Sequence, residues 1–179
     1  FTLMGALRPW PLAGALAPQN AVALCGIVLT QLVRPGCPVM YGAFTSNVDM
    51  RSGAPAFGTP ENTKANIASG QMARRYNLPY RTTPGSASNA ADAQGTYETL
   101  MALWGAVLGH GNLVYHAAGW QEGGLTASFE KFIIDVEMVQ HIMAVSSPPL
   151  TLPTTPHVSI PMVGETGQKR TMGVKPESK

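Results

Sequence analysis

The sequence predicts an α/β fold, and within that class a partial (β/α)8 TIM barrel of about four βα units. Four short apolar segments begin near residues 1, 38, 78 and 112, and each is followed by a segment with helical character. The connections from helix to strand are short, whereas those from strand to helix are long, polar or glycine-rich. A barrel has this asymmetry, because its functional site is built from the βα loops at one face.

A doubly wound sheet is the alternative architecture. It would usually carry a Gly-x-Gly-x-x-Gly turn between a strand and the helix that follows. The nearest pattern, Gly109-His110-Gly111, lacks the third glycine and precedes a strand. We therefore predict the barrel, and because four units are half of one, we expect the chain to be a fragment.

The first unit is predicted to contain a strand at residues 1–5 and a helix over Ala17–Val33. Between them, Arg8–Leu12 holds two prolines, which remove backbone donors and restrict their neighbours, so we expect no regular structure there. Pro35-Gly36 ends the helix. The apolar stripe of this helix that is predicted to face the core consists of Ala21, Leu24, Cys25, Val28 and Leu32.

The second and third units have recognisable helix boundaries. A strand over Pro38–Phe44 precedes a long loop, Thr45–Thr59, in which Thr59 is a suitable N-cap for the next helix. The third strand is Leu78–Thr82, and Asp92 is the predicted cap of the helix that follows. The residues of these two helices predicted to face the core are Ala65, Ala68, Met72 and Tyr76 in one, and Tyr97, Leu100, Met101, Trp104 and Leu108 in the other.

The fourth unit is predicted to be a strand over Leu113–Ala118, a glycine-rich turn, and a helix over Thr126–Ala144. The inward residues of that helix are expected to be Phe129, Phe132, Ile133, Val136 and Met143. We place the barrel domain at residues 1–145. The tail at 146–179 has six prolines, no Phe, Trp or Tyr and no helical period, so we predict it to be disordered or foreign to the barrel.

Composition excludes some classes of partner. The 179 residues have a net charge of +2 and only 12% charged residues, with no basic stripe, so nucleic acid is not expected. The longest near-continuous apolar run, Ala21–Leu29, is shorter than the roughly 20 residues that span a bilayer, so no membrane is expected. Two cysteines without a CxxC pattern favour free thiols in the cytoplasm. The sequence leaves open whether copies form a homo-oligomer.

Several reaction chemistries have no support in the motifs. There is no Gly-x-Ser-x-Gly elbow, no phosphate-binding loop and no HExxH, and the four histidines lack carboxylates at ligand spacing, so no metal site is expected. Lys64 and Lys131 lie within predicted helices, which argues against a Schiff-base lysine.

What remains is a set of aromatic, amide and acidic side chains in the loops after the strands. Aromatic faces beside a carboxylate suit a small cation, especially a methylated ammonium. Structural roles remain open: Trp120 could be a packing anchor, Asp49 could order its loop with Arg51, and one of Tyr115 and His116 should pack under a helix. The candidate site residues are Tyr41, Asn47, Asp49, Tyr115, His116, Trp120 and Glu122.

Three runs of the sequence resemble the trimethylamine methyltransferase family. They are VMYGAFTSNVDMRSGAPAFGTPE (39–61), DAQGTYE (92–98) and HAAGWQEGGLTASFEK (116–131). The likeness extends over Gly14–Met143. It is specific, because several long motifs occur in the same order. The sequence contains no pyrrolysine, so it resembles the larger group that includes enzymes demethylating glycine betaine. It departs from the family at Arg8–Leu12, in the tail after Val145, and in lacking part of the barrel.

The resemblance implies a TIM-barrel subunit that moves a methyl group from trimethylamine or a quaternary amine such as glycine betaine to the cobalt of a corrinoid. The corrinoid would be carried by a separate corrinoid protein. Trp120 and Tyr115 would then hold the ammonium, Glu122 or Asp49 would supply negative charge, and Glu122 is the candidate catalytic residue as proton source for a tertiary amine. The alternatives are a non-catalytic barrel fragment and a betaine-binding module without turnover.

Overall fold

The structure, a computed structural model, describes residues 2–146. Helices in this part of the chain are α1 (Leu12–Val33), α2 (Pro60–Arg75), α3 (Ala93–Leu108) and α4 (Phe129–Ser146). The strands are β1 (Thr2–Met4), β2 (Tyr41–Gly42), β3 (Thr45–Val48), β4 (Pro55–Ala56), β5 (Tyr80–Thr82), β6 (Leu113–Val114), β7 (Trp120–Gln121) and β8 (Thr126–Ala127). Apart from Ser146, the tail predicted at 146–179 lies outside the described residues.

Parallel pairing follows the order of the predicted βα units. β1 pairs with β3, β2 with β5, and β5 with β6, all parallel. The second predicted strand is divided, since β2 pairs with β5 whereas β3 pairs with β1. The α/β class is confirmed. Residues 2–146 form small sheets and no closed barrel, so the TIM barrel stays a prediction.

Three predicted boundaries are wrong. α1 begins at Leu12 instead of Ala17 and continues through Pro18, which costs one intrahelical hydrogen bond because proline has no N–H. The predicted loop after the second strand contains β3 and β4, which pair antiparallel. The fourth strand ends at Val114 instead of Ala118, since His116 has a φ of 58°, which is incompatible with extended backbone.

Two helix starts are confirmed with their caps. Thr59 Oγ1 accepts a hydrogen bond from Asn62 N (3.3 Å) at the start of α2, where Pro60 occupies the first turn. Asp92 accepts one from Gly95 N (2.8 Å) at the start of α3. That bond is the main reason why the pKa of Asp92 is lowered. These caps fix where the loops that precede the two helices end.

The predicted inward face is confirmed for α2, where Ala65 is buried and Met72 and Tyr76 pack against the core, and is largely wrong for α1, α3 and α4. The structure exposes Val28 and Leu32 on α1, Tyr97 and Leu108 on α3, and Phe129, Ile133 and Met143 on α4. Small and polar residues face inward: Gln19 on α1, Asn62, Asn66 and Ser69 on α2, Glu98, Thr99 and Ala102 on α3, and Lys131 and Asp135 on α4. The fold therefore packs its helices through close contacts and buried hydrogen bonds together with a few buried apolar side chains such as Leu103, Met138 and Ile142, while many other large apolar side chains stay exposed.

The apolar core lies between β2, β5 and the helices α1 and α2. Its buried residues are Tyr41, Ala43, Ala73 and Tyr80, with Ala23, Ile27, Met72, Tyr76 and Leu78 packed around them. The hydroxyl of Tyr80 donates to Asn66 O (3.0 Å), and burial raises the pKa of Tyr80 to about 12. This core holds the central strand β5 and its neighbour β2 in place.

One helix in the described residues, α1, is long and apolar enough to cross a membrane by length and composition alone. Its most apolar window has a mean hydropathy of 1.7 and is 11% buried. The apolar run Ala21–Leu29 is shorter than α1, because the polar residues on either side of the run do not end the helix. Cys25 on α1 is an exposed free thiol, and Cys37 is free as well.

Candidate functional site

Two candidate residues of the fourth unit, His116 and Trp120, are stacked on each other. Their ring centroids lie 3.6 Å apart at an interplanar angle of 29°. Gly124 lies directly against the six-membered ring of Trp120, so close that a Cβ there would be 2.5 Å from Cζ3. The close approach requires glycine, which also suits the φ of 95° at this position. Trp120 is therefore half-buried, with His116 stacked on its ring and Gly124 in contact with its six-membered ring.

The backbone of this turn is strained at two candidate residues. His116 and Glu122 have φ values of 58° and 50°, in the left-handed region that costs most L-residues about 1 kcal/mol. Such conformations persist where the surroundings enforce them, and they cluster at functional sites. Asn77 and His110 have similar φ values, so this strain supports His116 and Glu122 as site residues only together with their side-chain contacts.

The Glu122 turn is fastened to the loop that follows β5. Glu122 N donates to Ser88 O and Gly123 N donates to Ser86 O, both at 3.0 Å. The carboxylate of Glu122 accepts a hydrogen bond from Thr126 Oγ1 (3.2 Å) and is partly exposed. Next to the fastened loop lies a cleft of about 240 Å³, lined by Ala87, Ser88, Asn89, Ala90, Asp92 and Gln94. The polar ends of two successive βα units thus meet here.

A buried carboxylate that sequence reasoning missed, Glu98, organises the loop after β5. One oxygen of Glu98 accepts hydrogen bonds from Ser86 Oγ (2.9 Å), Ala87 N (2.8 Å) and Ser88 N (3.0 Å). Gln94 Nε2 donates to its other oxygen (2.8 Å). Three donors on one oxygen fix the loop whose carbonyls hold the Glu122 turn. No pattern in the sequence indicates this role, because the apolar stripe predicted to face inward, which includes Tyr97 and Leu100, does not include Glu98.

An ion pair inside α4 supports the other side of the turn. Lys131 and Asp135 are both buried; Lys131 Nζ donates to Asp135 Oδ1 and to Thr99 Oγ1 on α3 (2.8 Å). The second oxygen of Asp135 accepts from Gly119 N (2.8 Å), directly before Trp120. The i, i+4 spacing of Lys131 and Asp135 was visible in the sequence, but its burial was not. Through the hydrogen bond from Gly119 N, this ion pair fixes the backbone where the chain enters the turn that carries Trp120 and Glu122.

Tyr115 and His116 do not point to opposite sides of a strand, because the strand has ended before them. Their ring centroids are 5.6 Å apart. The guanidinium of Arg81 lies over the Tyr115 ring, 4.8 Å from its centroid. A cation therefore already occupies a face of Tyr115. Arg81, Tyr115, His116 and Trp120 form one continuous row of stacked groups, which we call the aromatic row.

The surroundings of His116 in the aromatic row favour the neutral form of its imidazole. Burial lowers the pKa of His116, and the positive charge of Arg81 lowers it further. His116 Nδ1 is buried and has no hydrogen-bond partner within residues 2–146, as is also true of Gln121 Nε2 in the same turn. No group of three or more His, Cys, Asp or Glu that could hold a metal ion occurs among these residues.

The other three candidates lie apart from the row. Tyr41 is fully buried in the core, where its hydroxyl donates to Asn20 Oδ1 (3.1 Å). Asn47 accepts from Thr59 Oγ1 (2.6 Å), the N-cap of α2. Asp49 is exposed and orders its own turn by accepting from Ser52 Oγ (2.6 Å) and from two backbone N–H groups, which lowers its pKa. These contacts give each residue a structural role.

Comparison with known proteins identifies similar sequences. The family model for trimethylamine methyltransferase matches residues 1–158. The chain is 43% identical over 147 residues to glycine betaine methyltransferase of Desulfitobacterium hafniense, covering 80% of this chain and 31% of that protein. It is 40% identical over 131 residues to proline betaine:corrinoid methyltransferase of Eubacterium limosum, covering 73% and 27%. Trimethylamine methyltransferase MttB of Methanosarcina barkeri is 34% identical over 166 residues, covering 92% and 33%. The chain thus spans about a third of the length of these relatives.

Proposed function

The chain belongs to the trimethylamine methyltransferase family, and from that premise we propose that it takes part in moving a methyl group from a methylated amine to a corrinoid held by a separate protein. Relatives that share its sequence are named for trimethylamine, glycine betaine and proline betaine. A corrinoid bound beside the turn that carries Trp120 and Glu122 would supply a reduced cobalt centre that accepts the methyl group. The residues of this chain would bind and orient the amine.

The observation that carries the proposal is the strained turn bearing Trp120 and Glu122 at the end of the fourth unit. Indole is the best aromatic partner for a methylated ammonium, which has few or no N–H groups to donate, and the ammonium would contact the part of the Trp120 ring that His116 and Gly124 leave uncovered. A carboxylate two residues away balances its charge. Both side chains are partly exposed, so a bulky partner can approach them. We therefore assign the ammonium to Trp120 and Glu122.

Methyl transfer from a quaternary nitrogen mainly needs positioning, because a neutral amine leaves. A tertiary amine leaves as readily only if its nitrogen carries a proton when the methyl group departs. Glu122 is the proposed relay for that proton: its carboxylate takes a proton from solvent and passes it to the amine nitrogen, returning to the ionised form, and Thr126 binds only its Oε2, which leaves Oε1 for the substrate. The two substrate classes should therefore differ in how strongly they depend on Glu122.

The test is Glu122→Gln, assayed as methyl transfer to reduced cobalamin in this chain and at the corresponding position of a full-length relative. With a tertiary amine we expect a loss of about a hundredfold or more, because a proton donor is removed. With a quaternary amine we expect a smaller loss, since only charge balance changes. Glu137→Gln, at an exposed site on α4, is the matched control. Unchanged rates with both amines would remove Glu122 from the mechanism.

Binding without turnover is the second candidate function. It is favoured by the partly exposed turn that carries Trp120 and Glu122, which can bind an ammonium without a corrinoid being present. A chain that binds betaine with no corrinoid present, and transfers no methyl group when reduced cobalamin is added, would have this function. Calorimetric titration followed by the transfer assay on the same sample separates the two candidates.

A further inference from the structure

Glu98 lies where loops from neighbouring βα units meet. Its side chain is 6% exposed, and Gly58, in the loop before α2, packs against it so closely that a Cβ on Gly58 would lie 2.4 Å from Glu98 Cα. The residue before Gly58, Phe57, lies against the turn of the fourth unit, since a Cβ on Gly123 would be 3.6 Å from Phe57 Cε2. Glu98 is therefore a buried carboxylate beside that turn.

Two serines, Ser86 and Ser88, connect Glu98 with the backbone of the turn. Ser88 N donates to Glu98 Oε2 (3.0 Å), and the carbonyl of Ser88 accepts a hydrogen bond from Glu122 N (3.0 Å). Ser86 Oγ donates to the same Glu98 oxygen (2.9 Å), and the carbonyl of Ser86 accepts a hydrogen bond from Gly123 N (3.0 Å). Each serine thus bonds to Glu98 on one side and to the turn on the other, so the position of the carboxylate sets the position of both carbonyls.

Glu122 needs this support because of its backbone conformation. Its φ is 50° and that of Gly123 is 66°, and left-handed backbone is unfavourable for a residue with a side chain. Such a conformation persists where contacts enforce it. The hydrogen bond from Thr126 Oγ1 to the Glu122 carboxylate joins two residues of the same hairpin, so it does not fix the turn relative to other elements. The two serine carbonyls therefore hold Glu122 relative to the third unit.

We propose that Glu98 is a positioning residue for the reaction: it acts through the two serines to hold Glu122 where its carboxylate reaches the amine bound by Trp120. The inference rests on the proposed function. Trp120 is fastened separately, because Gly119 N donates to Asp135 Oδ2 on α4 (2.8 Å). Loss of the Glu98 carboxylate should therefore release Glu122 and leave Trp120 in place.

Hydrogen exchange of single amides, measured by NMR on the full 179-residue chain, tests whether Glu98 holds the turn. Glu98→Ala should speed exchange at the Glu122 and Gly123 amides about a hundredfold. The Gly119 amide bonds outside the serine loop and is the internal reference, which should change much less. Glu98→Gln keeps an acceptor oxygen and loses only the charge, so we expect about tenfold faster exchange. Glu137→Ala, at an exposed site on α4, is the matched control and should leave these rates unchanged.

Calorimetric titration with tetramethylammonium tests the link to amine binding. Glu98→Ala and Glu122→Gln should each weaken binding about three- to tenfold, and the double variant should bind no more weakly than Glu122→Gln, because Glu98 acts through Glu122. Glu98→Gln serves for both measurements if Glu98→Ala does not fold. Exchange at Glu122 and Gly123 that stays at the wild-type rate, an affinity unaffected by loss of Glu98, or losses that add in the double variant would overturn the positioning role. A wild type that binds no tetramethylammonium would count against the proposed function, and the exchange rates would then decide the role of Glu98 alone.

Discussion

His116 stands between two groups that respond to its charge. On one side it stacks on Trp120, and on the other it adjoins Tyr115, which carries Arg81. A neutral imidazole leaves Trp120 as the ring available to a cation. A protonated imidazole would itself be a cation at that ring and would also be repelled by Arg81. The charge state of His116 thus decides whether an ammonium meets competition.

This predicts a pH dependence of amine binding. Because burial and then Arg81 lower the pKa of His116, the folded chain binds its proton less readily than the unfolded chain does. Stability and tetramethylammonium affinity should both be constant at neutral pH and fall as the pH drops below the ordinary histidine value of about 6.5. The probe itself does not titrate. Calorimetry from pH 7.5 to 5 checks this, and His116→Phe should remove the dependence. A wild-type affinity that is flat over this range would contradict it.

Some residues of the site were predictable from the sequence and others were not. Trp120 and Glu122 were recognisable because an aromatic and an acid next to two glycines are presented by a turn. Arg81 was not, since its contact with Tyr115 follows from which face of a short strand it occupies, and that is fixed by the partners of Tyr80 and Thr82. Glu98 was missed because its partners are backbone N–H groups of a loop, which leave no pattern in the sequence.

Among the elements, the starts of α2 and α3 and the inward face of α2 were predictable, whereas the inward faces of α1, α3 and α4 were not. Capping chemistry is local, so Thr59 and Asp92 identify the starts of α2 and α3. A stripe of large apolar residues shows only that a helix is amphipathic, and it does not say which neighbour covers the stripe. In α2 and α3 the contacting residues are small or polar, as with Gly70, which lies against the carbonyl of Gly109. The distance between these two helices is therefore set by contact at small residues and not by the packing of large side chains.

The contact between α2 and α3 should therefore tolerate no added methyl group. A Cβ on Gly70 would lie 1.9 Å from Gly109 O, so Gly70→Ala must push the helices apart and should lower the free energy of unfolding by about 1–3 kcal/mol. Gly26→Ala is the matched control, because Gly26 lies within α1 and a Cβ there meets nothing within 4 Å. It should stabilise the helix by about 0.5–1 kcal/mol. Urea denaturation followed by circular dichroism measures both. A Gly70→Ala variant as stable as the wild type would show that the helices do not approach so closely.

At the scale of the whole molecule, the main feature is the exposed apolar surface on the outer faces of the helices. α1 has no charged residue, and Val22, Val28, Leu29, Leu32 and Val33 are each more than half exposed. A cleft of about 410 Å³ between α1 and the segment that leads into β2 is lined by further apolar groups such as Ile27, Pro38 and Met40. Monomeric soluble proteins rarely leave contiguous apolar patches of this kind uncovered. Large apolar surface in water favours association, since burying it gains about 25 cal/mol for each Å².

We therefore expect the purified 179-residue chain to self-associate in a concentration-dependent manner. The double variant Val28→Glu, Leu32→Glu places two carboxylates one turn apart on the exposed face of α1, and burying them in an interface would be costly. It should shift the chain towards monomer, whereas Gln71→Glu, which adds a charge at an exposed position of α2, should not. Sedimentation velocity over a hundredfold range of concentration makes the comparison. A wild type that stays monomeric throughout would mean that α1 is covered within a single chain, and association by the double variant to the wild-type extent would place the contact on another helix.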